Sequence, residues 1–323
     1  MKKQLFVTTF CSLLLAGYGC SSPQANDAMQ DLTQYVDPYI GSGGHGHVFV
    51  GANVPYGLVQ LGPSSIPQEW DWTSGYHISD STVIGFPHMH LSGTGIGDLH
   101  DITLMPVTGE VTYARGVESD QTSGLWSYSD RSKEVVKPGY YATHLLRYNV
   151  DVELTATKRV GFHKYTFNQK ENAAVVFDLQ NGGCWDSPTK AYINKVDDKT
   201  IEGYRYSSGW ANDQRVFFVA EFSEPITSLD VIVDRGEAVA DKGEGKIVYA
   251  RANVDAQKPV YVKVALSPTS IENAKLNMQT ELPGWDFEGT IAQADQAWEK
   301  ALAKVEMESA DVKSKKIFYT ALY

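Results

Sequence analysis

Long hydrophobic runs are missing from most of this 323-residue chain, and so is any excess of positive charge. Beyond about the first two dozen residues, no apolar stretch approaches the roughly 18 to 20 residues that cross a bilayer as a helix. The 28 Lys and Arg residues are outnumbered by 39 Asp and Glu, which gives a net charge of −11. Because no basic field is available to displace phosphate counterions, we predict no nucleic-acid partner. Hydrophobic residues still make up 42% of the chain, which suffices for a core and excludes intrinsic disorder as the overall state.

Cysteine is also scarce, and the three that are present, Cys11, Cys20 and Cys184, divide by position. Residues 1–19 combine two lysines with a short apolar stretch, which is typical of a cleaved secretory signal peptide. The residues that end at Cys20 resemble the lipobox of bacterial lipoproteins, so we expect lipidation at Cys20 and a tether over residues 20–30. The protein would then be exported across the inner membrane and held by a lipid anchor, facing the periplasm or the cell surface. Only Cys184 would remain in the folded body, which excludes an internal disulfide there.

Short strands separated by turn residues dominate the middle of the sequence. Val150 to Ala156 alternates apolar and polar residues, the period of a strand with one buried face. Similar runs predict strands over residues 139–148, 159–168, 173–179, 215–222, 246–251 and 259–267. Because no helical segment interrupts them, the fold class is predicted to be mostly β, a large antiparallel β-sandwich that occupies residues 31–283.

Helical periodicity begins near Pro283 and Gly284. The apolar residues from Phe287 to Val305 then recur every three or four positions, which predicts an amphipathic linker helix within residues 284–308. A second helix is predicted over residues 309–323, starting from the acidic N-cap signal at Asp311. That helix carries no stop signal and its apolar face lacks a visible partner, so we expect this chain to be the front part of a longer protein.

Histidine is concentrated in one Gly-rich zone that also holds two tryptophans. Six of the eight histidines lie between residues 45 and 100: His45, His47, His77, His88, His90 and His100. The two His-x-His pairs could place both imidazoles on one side of an extended backbone, a spacing that suits zinc ligands. A zinc hydrolase would need a third ligand such as Asp98 or His100, and the sequence contains no HExxH or cysteine-based pattern to supply it. The cluster is therefore either a polar binding surface, which we favour, or a zinc site.

Carboxylates in the same zone are candidates for acid and base chemistry. Glycoside hydrolysis needs one protonated and one ionised carboxyl group, and the nearby acids are Glu69, Asp71, Asp98 and Asp101. The same groups could instead accept sugar hydroxyls or cap turns. The loop Gly93–Asp98 lacks the strand and helix context of a nucleotide-binding motif, so it is either a tight structural loop or part of a pocket wall.

A series of motifs between residues 35 and 108 resembles glycoside hydrolase family 92. The motifs are YVDPYIG at 35–41, GGHGH at 43–47, NVPYGLVQL at 53–61, SGYH at 74–77 and GFPHMHLSGTG at 85–95, followed by Gly97-Asp98. The resemblance implies a calcium-dependent exo-acting α-mannosidase that inverts anomeric configuration and acts on mannose-containing glycans. It also implies an N-terminal β-sandwich, a linker helix and an (α/α)₆ barrel, of which residues 309–323 would be the first helix of a truncated catalytic domain.

Residue roles follow from the same resemblance. The family's catalytic acid and base and most of its calcium ligands lie in the barrel, so no catalytic residue is assigned to this chain and its metal ligands stay unknown. The resemblance implies that the N-terminal domain contributes sugar contacts, with Trp70 as a stacking platform. The implied substrate-binding residues are Trp70, Asp71, Tyr76, His88, His90 and Asp98. A free-standing carbohydrate-binding lipoprotein is the alternative function.

Overall fold

The computed structural model describes residues 31–180 and 185–323. The predicted signal peptide, the lipidation site Cys20 and the tether, as well as Cys184, lie outside these residues. Within the part that is described, no helix has both the length and the apolar character needed to cross a membrane.

Eighteen strands are present in the described residues, most of them after residue 100. In chain order they are β1 Ala52–Asn53, β2 Gln60–Leu61, β3 Thr82–Val83, β4 Thr103–Val107, β5 Ser127–Tyr128, β6 Val135–Lys137, β7 Tyr140–Leu145, β8 Val150–Ala156, β9 Val160–Phe167, β10 Ala174–Asp178, β11 Ser187–Lys195, β12 Thr200–Ser208, β13 Gln214–Phe222, β14 Ile226–Val233, β15 Ala238–Ala240, β16 Lys242–Gly245, β17 Val248–Val254 and β18 Val260–Ser267.

Two large sheets face each other. The nine-stranded sheet has the order β16-β11-β12-β13-β18-β9-β8-β7-β6, and the five-stranded sheet has the order β15-β14-β17-β10-β4. Neighbouring strands in both sheets pair antiparallel. Side chains from the two sheets meet in one core, as where Phe177 of β10 stacks on Phe218 of β13 with ring centroids 5.9 Å apart. The predicted fold class, a mostly β, antiparallel sandwich-like body, is confirmed.

Alternating hydrophobicity explains why these segments form half-buried strands. In β8, Val150, Val152 and Leu154 are fully buried, whereas Asp151 and Glu153 lie on the other face and are partly exposed. Strand β10 lies between β4 and β17, and all five of its residues are buried because both of its faces are covered.

Three helices follow the sheets: α1 Ile271–Glu281, α2 Phe287–Leu302 and α3 Val312–Leu322. The sequence predicted α2 and α3, although α2 ends at Leu302 rather than at Val305, the last residue of its predicted apolar stripe. The carboxylate of Asp311 caps α3 by accepting from the backbone N–H groups of Lys313 and Ser314. Helix α1 was not predicted, and it packs on the outer face of the nine-stranded sheet through Ala274 and Met278.

The segment between residues 31 and 101 contains little regular structure and carries most of the predicted site residues. Backbone hydrogen bonds hold it to the sandwich, including Leu58 N–H to Lys158 O at 2.7 Å and Phe86 N–H to Leu104 O at 2.8 Å. Two short 3-10 helices, Gly44–Gly46 and Trp70–Trp72, approach each other in this segment. The site is therefore built from loops that a rigid sandwich supports.

Candidate functional site: a tryptophan-bearing surface

Trp70 lies on the surface with half of its side chain, 51%, exposed to solvent. Its indole Nε1–H donates a hydrogen bond to the carbonyl oxygen of Gly95 at 3.1 Å. The imidazole of His47 meets the indole edge-on, with ring centroids 4.2 Å apart, and the ring of His45 lies 5.5 Å away. Trp70 is thus held on two sides while the rest of its ring stays open to a ligand.

Asp71 is the charged partner of Trp70 on this surface. Its Oδ1 lies 2.6 Å from Nδ1 of His45 and 3.4 Å from Nε2 of His47. The hydrogen bond to His45 holds the pKa of the Asp71 carboxyl below its usual range. Asp71 is therefore an ionised hydrogen-bond acceptor beside an exposed aromatic ring. We call the set Trp70, Asp71, His45, His47 and Gly95 the Trp70 face.

Asp98 is buried beside the Trp70 face, and one of its oxygens binds protein backbone. Its Oδ2 accepts a hydrogen bond from the N–H of Trp210 at 2.7 Å. The carbonyl oxygen of the preceding residue, Gly97, accepts a hydrogen bond from the N–H of Trp185 at 2.6 Å. The loop Gly93–Asp98, for which the sequence allowed either a structural role or a place in a pocket wall, is therefore attached to three exposed tryptophans. They are Trp70, Trp185 and Trp210.

His88 lies in the interior, away from solvent. Its Nδ1 is 2.5 Å from the carbonyl oxygen of Ile102, and a carbonyl only accepts, so Nδ1 must carry a proton. Its Nε2 then accepts from Nε2–H of His163 at 2.9 Å, and Nδ1 of His163 accepts from the Tyr165 hydroxyl at 2.7 Å. Burial lowers the pKa of His88 to about 4, which keeps this chain of hydrogen bonds neutral.

His90 is buried as well. Its Nδ1 lies 2.8 Å from the carbonyl oxygen of Gln60, and its ring centroid lies 4.7 Å from that of Phe49 and 4.9 Å from that of His100. Burial lowers the pKa of His90 to about 4. His88 and His90 therefore support the loops from inside the fold, and the structure does not bring them to the exposed surface of Trp70.

Tyr76 is also placed in the interior. Its hydroxyl donates to Oε2 of Glu134 at 3.0 Å, and the guanidinium of Arg131 lies over its ring at 4.7 Å from the centroid. Tyr39 and Tyr141 donate to the same carboxylate at 3.1 and 2.7 Å. Burial raises the pKa of the Tyr76 hydroxyl above its ordinary value. Tyr76 is therefore one of three tyrosines that hydrogen-bond to the buried carboxylate of Glu134.

The acid and base candidates separate into different environments. Asp101 is completely buried, where its Oδ1 lies 2.6 Å from Nη1 of Arg205 and its Oδ2 accepts from Nε2 of Gln214 at 2.5 Å. Burial raises the pKa of this carboxyl despite the neighbouring guanidinium. Glu69 is exposed and directly precedes the Trp70–Trp72 helix. Of these carboxyl groups, Asp71 is the one that pairs with His45 and His47, whose rings contact Trp70.

A metal-ligand set is the remaining possibility raised by the histidine cluster. Across residues 31–180 and 185–323, the structure gathers no group of three or more His, Cys, Asp or Glu side chains that could hold a metal ion. His45, His47 and Asp71 pair with one another instead. The described residues therefore do not fit a complete zinc or calcium site on their own.

Trp185 and Trp210 are the site-adjacent residues that sequence reasoning missed. Both lie more than 80 positions beyond the glycine loop in the chain. The available signal was the pair of turn-like sequences Gly183-Cys184-Trp185 and Ser208-Gly209-Trp210, each of which has a glycine within two residues before the tryptophan. Only the folding of β11, β12 and β13 brings the two turns to the loop.

Comparison with known proteins agrees with these features. A sequence model of the glycosyl hydrolase family 92 N-terminal domain matches residues 35–267. The chain belongs to glycosyl hydrolase family 92. The model of the family 92 catalytic domain matches residues 273–323, which include most of α1 and all of α2 and α3.

Solved structures of family 92 share this fold. The family GH92 alpha-mannosidase BT3965 from Bacteroides thetaiotaomicron is 35% identical, with a TM-score of 0.86 over 91% of this chain and 41% of that chain. That relative has also been solved in complex with mannoimidazole. The inverting mannosidase BT2199 from the same organism, at 22% identity and a TM-score of 0.75 over 90% of this chain and 39% of that one, shows the fold alone.

One curated relative comes from a fungus. It is named an uncharacterized secreted glycosidase from Arthroderma benhamiae and is 24% identical over 91% of this chain and 41% of its own length. This family 92 chain thus spans about two fifths of the length of the relatives that it matches.

Proposed function

We propose that this chain is the N-terminal substrate-binding part of a glycoside hydrolase that removes terminal α-linked mannose with inversion of configuration. Membership of family 92 and the likeness to an alpha-mannosidase that binds mannoimidazole support the proposal. The observation that carries it is the Trp70 face, a half-exposed indole with an ionised carboxylate beside it.

The chemistry of the Trp70 face suits a neutral sugar. The indole offers a flat apolar surface for the C–H face of a pyranose, and the Asp71 carboxylate accepts hydrogen bonds from sugar hydroxyls. His45 fixes the direction of Asp71 through its 2.6 Å contact. A terminal mannose would therefore be held by one stacking contact and one charged acceptor.

The same geometry supports a chain that binds the sugar but does not supply the catalytic acid. Inverting hydrolysis needs a protonated carboxyl group and a carboxylate base on opposite sides of the scissile bond, about 6.5–9.5 Å apart. Asp71 has a lowered pKa and Asp101 is enclosed by Arg205 and Gln214, so neither is suited to donate a proton to a bound glycan. We therefore assign the acid and base to the catalytic domain, of which residues 273–323 match the beginning.

Calcium and the (α/α)₆ barrel enter only through the family resemblance. The described residues do not fit a complete calcium site, as shown above, so no step of the proposal depends on an ion held by this chain. We propose that the ion and the remaining barrel helices belong to sequence that the matched relatives have in addition.

The test compares this chain with a version extended past Tyr323 by a family 92 catalytic domain. We expect the 323-residue chain to bind methyl α-mannoside without hydrolysing an aryl α-mannoside, with or without Ca²⁺. The extended version should hydrolyse the substrate, and Trp70→Ala should reduce its kcat/KM at least about tenfold. Hydrolysis by the short chain would contradict the division of labour, and mannoside binding with no hydrolysis in any extended version would favour the free-standing carbohydrate-binding lipoprotein.

A further inference from the structure

A cavity of about 670 Å³ lies against the five-stranded sheet. Its volume is within the range of roughly 300–1,000 Å³ that is typical of sites for small molecules. Two arginines, two tyrosines and a glutamine amide supply its polar lining: Arg115, Arg235, Tyr113, Tyr249 and Gln180. We call it the two-arginine cavity. It shares no residue with the Trp70 face.

Tyr249 forms the floor of the two-arginine cavity. In β17 it is paired with Ile232 of β14 on one side and with Asp178 of β10 on the other, so the three side chains share one face of the sheet. Tyr249 is only 3% exposed, and its hydroxyl donates to Oε1 of Gln180 at 2.6 Å. The ring of Tyr113 lies beside it, with centroids 5.7 Å apart. The floor is therefore aromatic and fixed in place.

Arg115 is held over this floor by a closed loop. The N–H of Leu125 donates to the carbonyl oxygen of Ala114 at 2.9 Å, which ties the two ends of the loop together. The next residue, Gly116, has a φ of +84°, and a Cβ there would lie 2.5 Å from the buried ring of Trp126. Only glycine fits that position. The backbone on both sides of Arg115 is therefore constrained before any ligand binds.

Arg235 lies opposite, in the exposed turn between β14 and β15. The neighbouring carboxylate, Asp234, does not take up its charge. Oδ1 of Asp234 accepts instead from the backbone N–H groups of Lys246 and Ile247 at 3.0 and 2.8 Å. Across residues 31–180 and 185–323, no carboxylate forms an ion pair with Arg235.

Charges of both signs act on the Tyr249 hydroxyl. Burial raises its pKa and the Asp178 carboxylate raises it further, whereas the guanidinium groups of Arg115 and Arg235 both oppose the rise. Oδ1 of Asp178 accepts from the N–H of Gln180 at 2.8 Å. Two positive charges and one negative charge sum to +1 here, in a chain whose net charge is −11. A positive site in an acidic protein attracts an anion, and this sum matches a ligand with a single negative charge.

The remaining groups of the cavity suit a sugar ring. A guanidinium binds a carboxylate through two parallel hydrogen bonds, the face of a tyrosine ring packs on the C–H face of a pyranose, and an amide pairs with hydroxyl groups. We propose that the two-arginine cavity binds a hexuronate, a sugar that carries one carboxylate. The inference goes beyond the proposed function. It gives the chain a second glycan site, for acidic sugars, that takes no part in bond cleavage.

The test is a calorimetric titration of the 323-residue chain with methyl α-glucuronide and with methyl α-glucoside, which differ in the carboxylate. We expect the glucuronide to bind at least about tenfold more tightly. Its affinity should fall several-fold between about 50 and 500 mM NaCl, because salt screens the attraction. Arg115→Gln and Arg235→Gln should each weaken glucuronide binding about tenfold. The matched control is Arg215→Gln, which removes the same charge from an exposed arginine that pairs with Asp213, and it should change nothing.

Glucose 6-phosphate and inorganic phosphate are the further probes. Tighter binding of glucose 6-phosphate than of the glucuronide would contradict a singly charged ligand. Equal affinity for inorganic phosphate would reduce the cavity to a simple anion site and overturn the proposal. Absence of glucuronide binding overturns it too, as does binding that survives in the Arg115→Gln/Arg235→Gln double variant. If Arg115→Gln does not fold, Arg235→Gln at its exposed position decides the question by itself.

Failure of this inference can be told apart from failure of the proposed function. Titration of the wild type with methyl α-mannoside tests the Trp70 face, which has no residue in common with the two-arginine cavity. Glucuronide binding without mannoside binding would leave the cavity assigned and the proposed function wrong. Mannoside binding without glucuronide binding would do the reverse.

Discussion

The absence of a Cβ atom at Gly95 determines the shape of the Trp70 face. Gly95 has an ordinary backbone conformation, but a Cβ at this position would lie 2.2 Å from Nε1 of Trp70 and 2.6 Å from two of its ring carbons. Glycine is therefore required here by contact with the indole. The loop and the ring define each other's position.

We expect Gly95→Ala to displace Trp70 and to weaken methyl α-mannoside binding about tenfold. Because the displaced indole is exposed and can move into solvent, the free energy of unfolding should change by less than about 1 kcal/mol. Calorimetric titration and urea unfolding measure the two quantities. Gly284→Ala is the matched control, since a Cβ there would meet no atom within 4 Å. Unchanged mannoside binding in Gly95→Ala would show that Trp70 does not contact the sugar.

Buried imidazoles make stability depend on pH. His88 and His90 have pKa values lowered by burial to about 4, whereas an imidazole in the unfolded chain titrates near 6.5. Between these values the unfolded state binds protons that the folded state excludes, so stability falls as pH drops from about 6.5 towards 4. Each imidazole accounts for about 3 kcal/mol over that window.

His90→Asn tests this link. The asparagine amide can replace Nδ1–H as the donor to the Gln60 carbonyl oxygen, and it does not titrate. We expect the variant to be less stable than wild type at pH 7 but to lose about 3 kcal/mol less between pH 6.5 and 4. Urea unfolding at half-unit pH steps provides the measurement. Parallel curves for the two proteins would mean that His90 does not titrate in the unfolding equilibrium.

At the residue scale the sequence predicted which side chains share one segment but not the direction of each side chain. It grouped Trp70, Asp71 and His45 in one segment, and these residues do meet. Tyr76 and His88 come from the same segment yet point inward, because they hydrogen-bond to Glu134 and His163, which lie far away in the chain. Partners so far away in the chain leave no local pattern.

Among the elements, α1 stabilises the nine-stranded sheet from its outer face. The side chain of Ser270 caps it by accepting from the N–H of Asn273. Ala274, Met278 and Leu282 then pack on Phe162 and other sheet residues. Only Ala274 and Met278 are buried within this mostly polar helix, which explains why periodicity did not reveal it.

Met278→Ala should lower the free energy of unfolding by about 2–4 kcal/mol, because Met278 is only 1% exposed and its truncation leaves a cavity against the sheet. Leu276→Ala on the same helix is the matched control; Leu276 is 56% exposed and should cost less than about 0.5 kcal/mol. Urea unfolding measures both variants. Equal losses would show that α1 does not depend on this contact.

Strand prediction succeeded where alternation was regular and failed where glycine or polar residues occupied the inner face. The sequence predicted four strands close to their observed bounds: β8, β9, β10 and β18. β12 was missed because its inward positions include Gly203 and the buried Arg205, which do not look like a core pattern. The two carboxylates that pair with Arg205 lie in other segments of the chain.

For the whole molecule, we propose a location as well as a function. A relative is named a secreted glycosidase, and residues 1–20 of this chain predict export and lipidation at Cys20. A lipid anchor would hold the glycan-binding surface at a membrane, on its periplasmic or outer side.

Replacing Cys20 by alanine should move the protein from the membrane fraction to the soluble fraction after expression in a bacterial host, because the acyl acceptor is lost. Fractionation with mass spectrometry of the mature N-terminus measures the change. Cys184→Ala is the control and should stay with the membranes. Retention of Cys20→Ala in the membranes would contradict the lipid anchor.

The sequence by itself determined the local properties of this protein: the antiparallel strands, the two amphipathic C-terminal helices, and the motifs that placed it with family 92. Each of these depends on neighbours in the chain, through periodicity or short spacing. Tertiary structure alone decided which polar side chains face solvent and which lie inside. It also gathered Trp70, Trp185 and Trp210 around Gly95–Asp98. Such contacts join segments about 25 to 115 residues apart, and only the pairing of strands across the sandwich brings those segments within hydrogen-bonding distance.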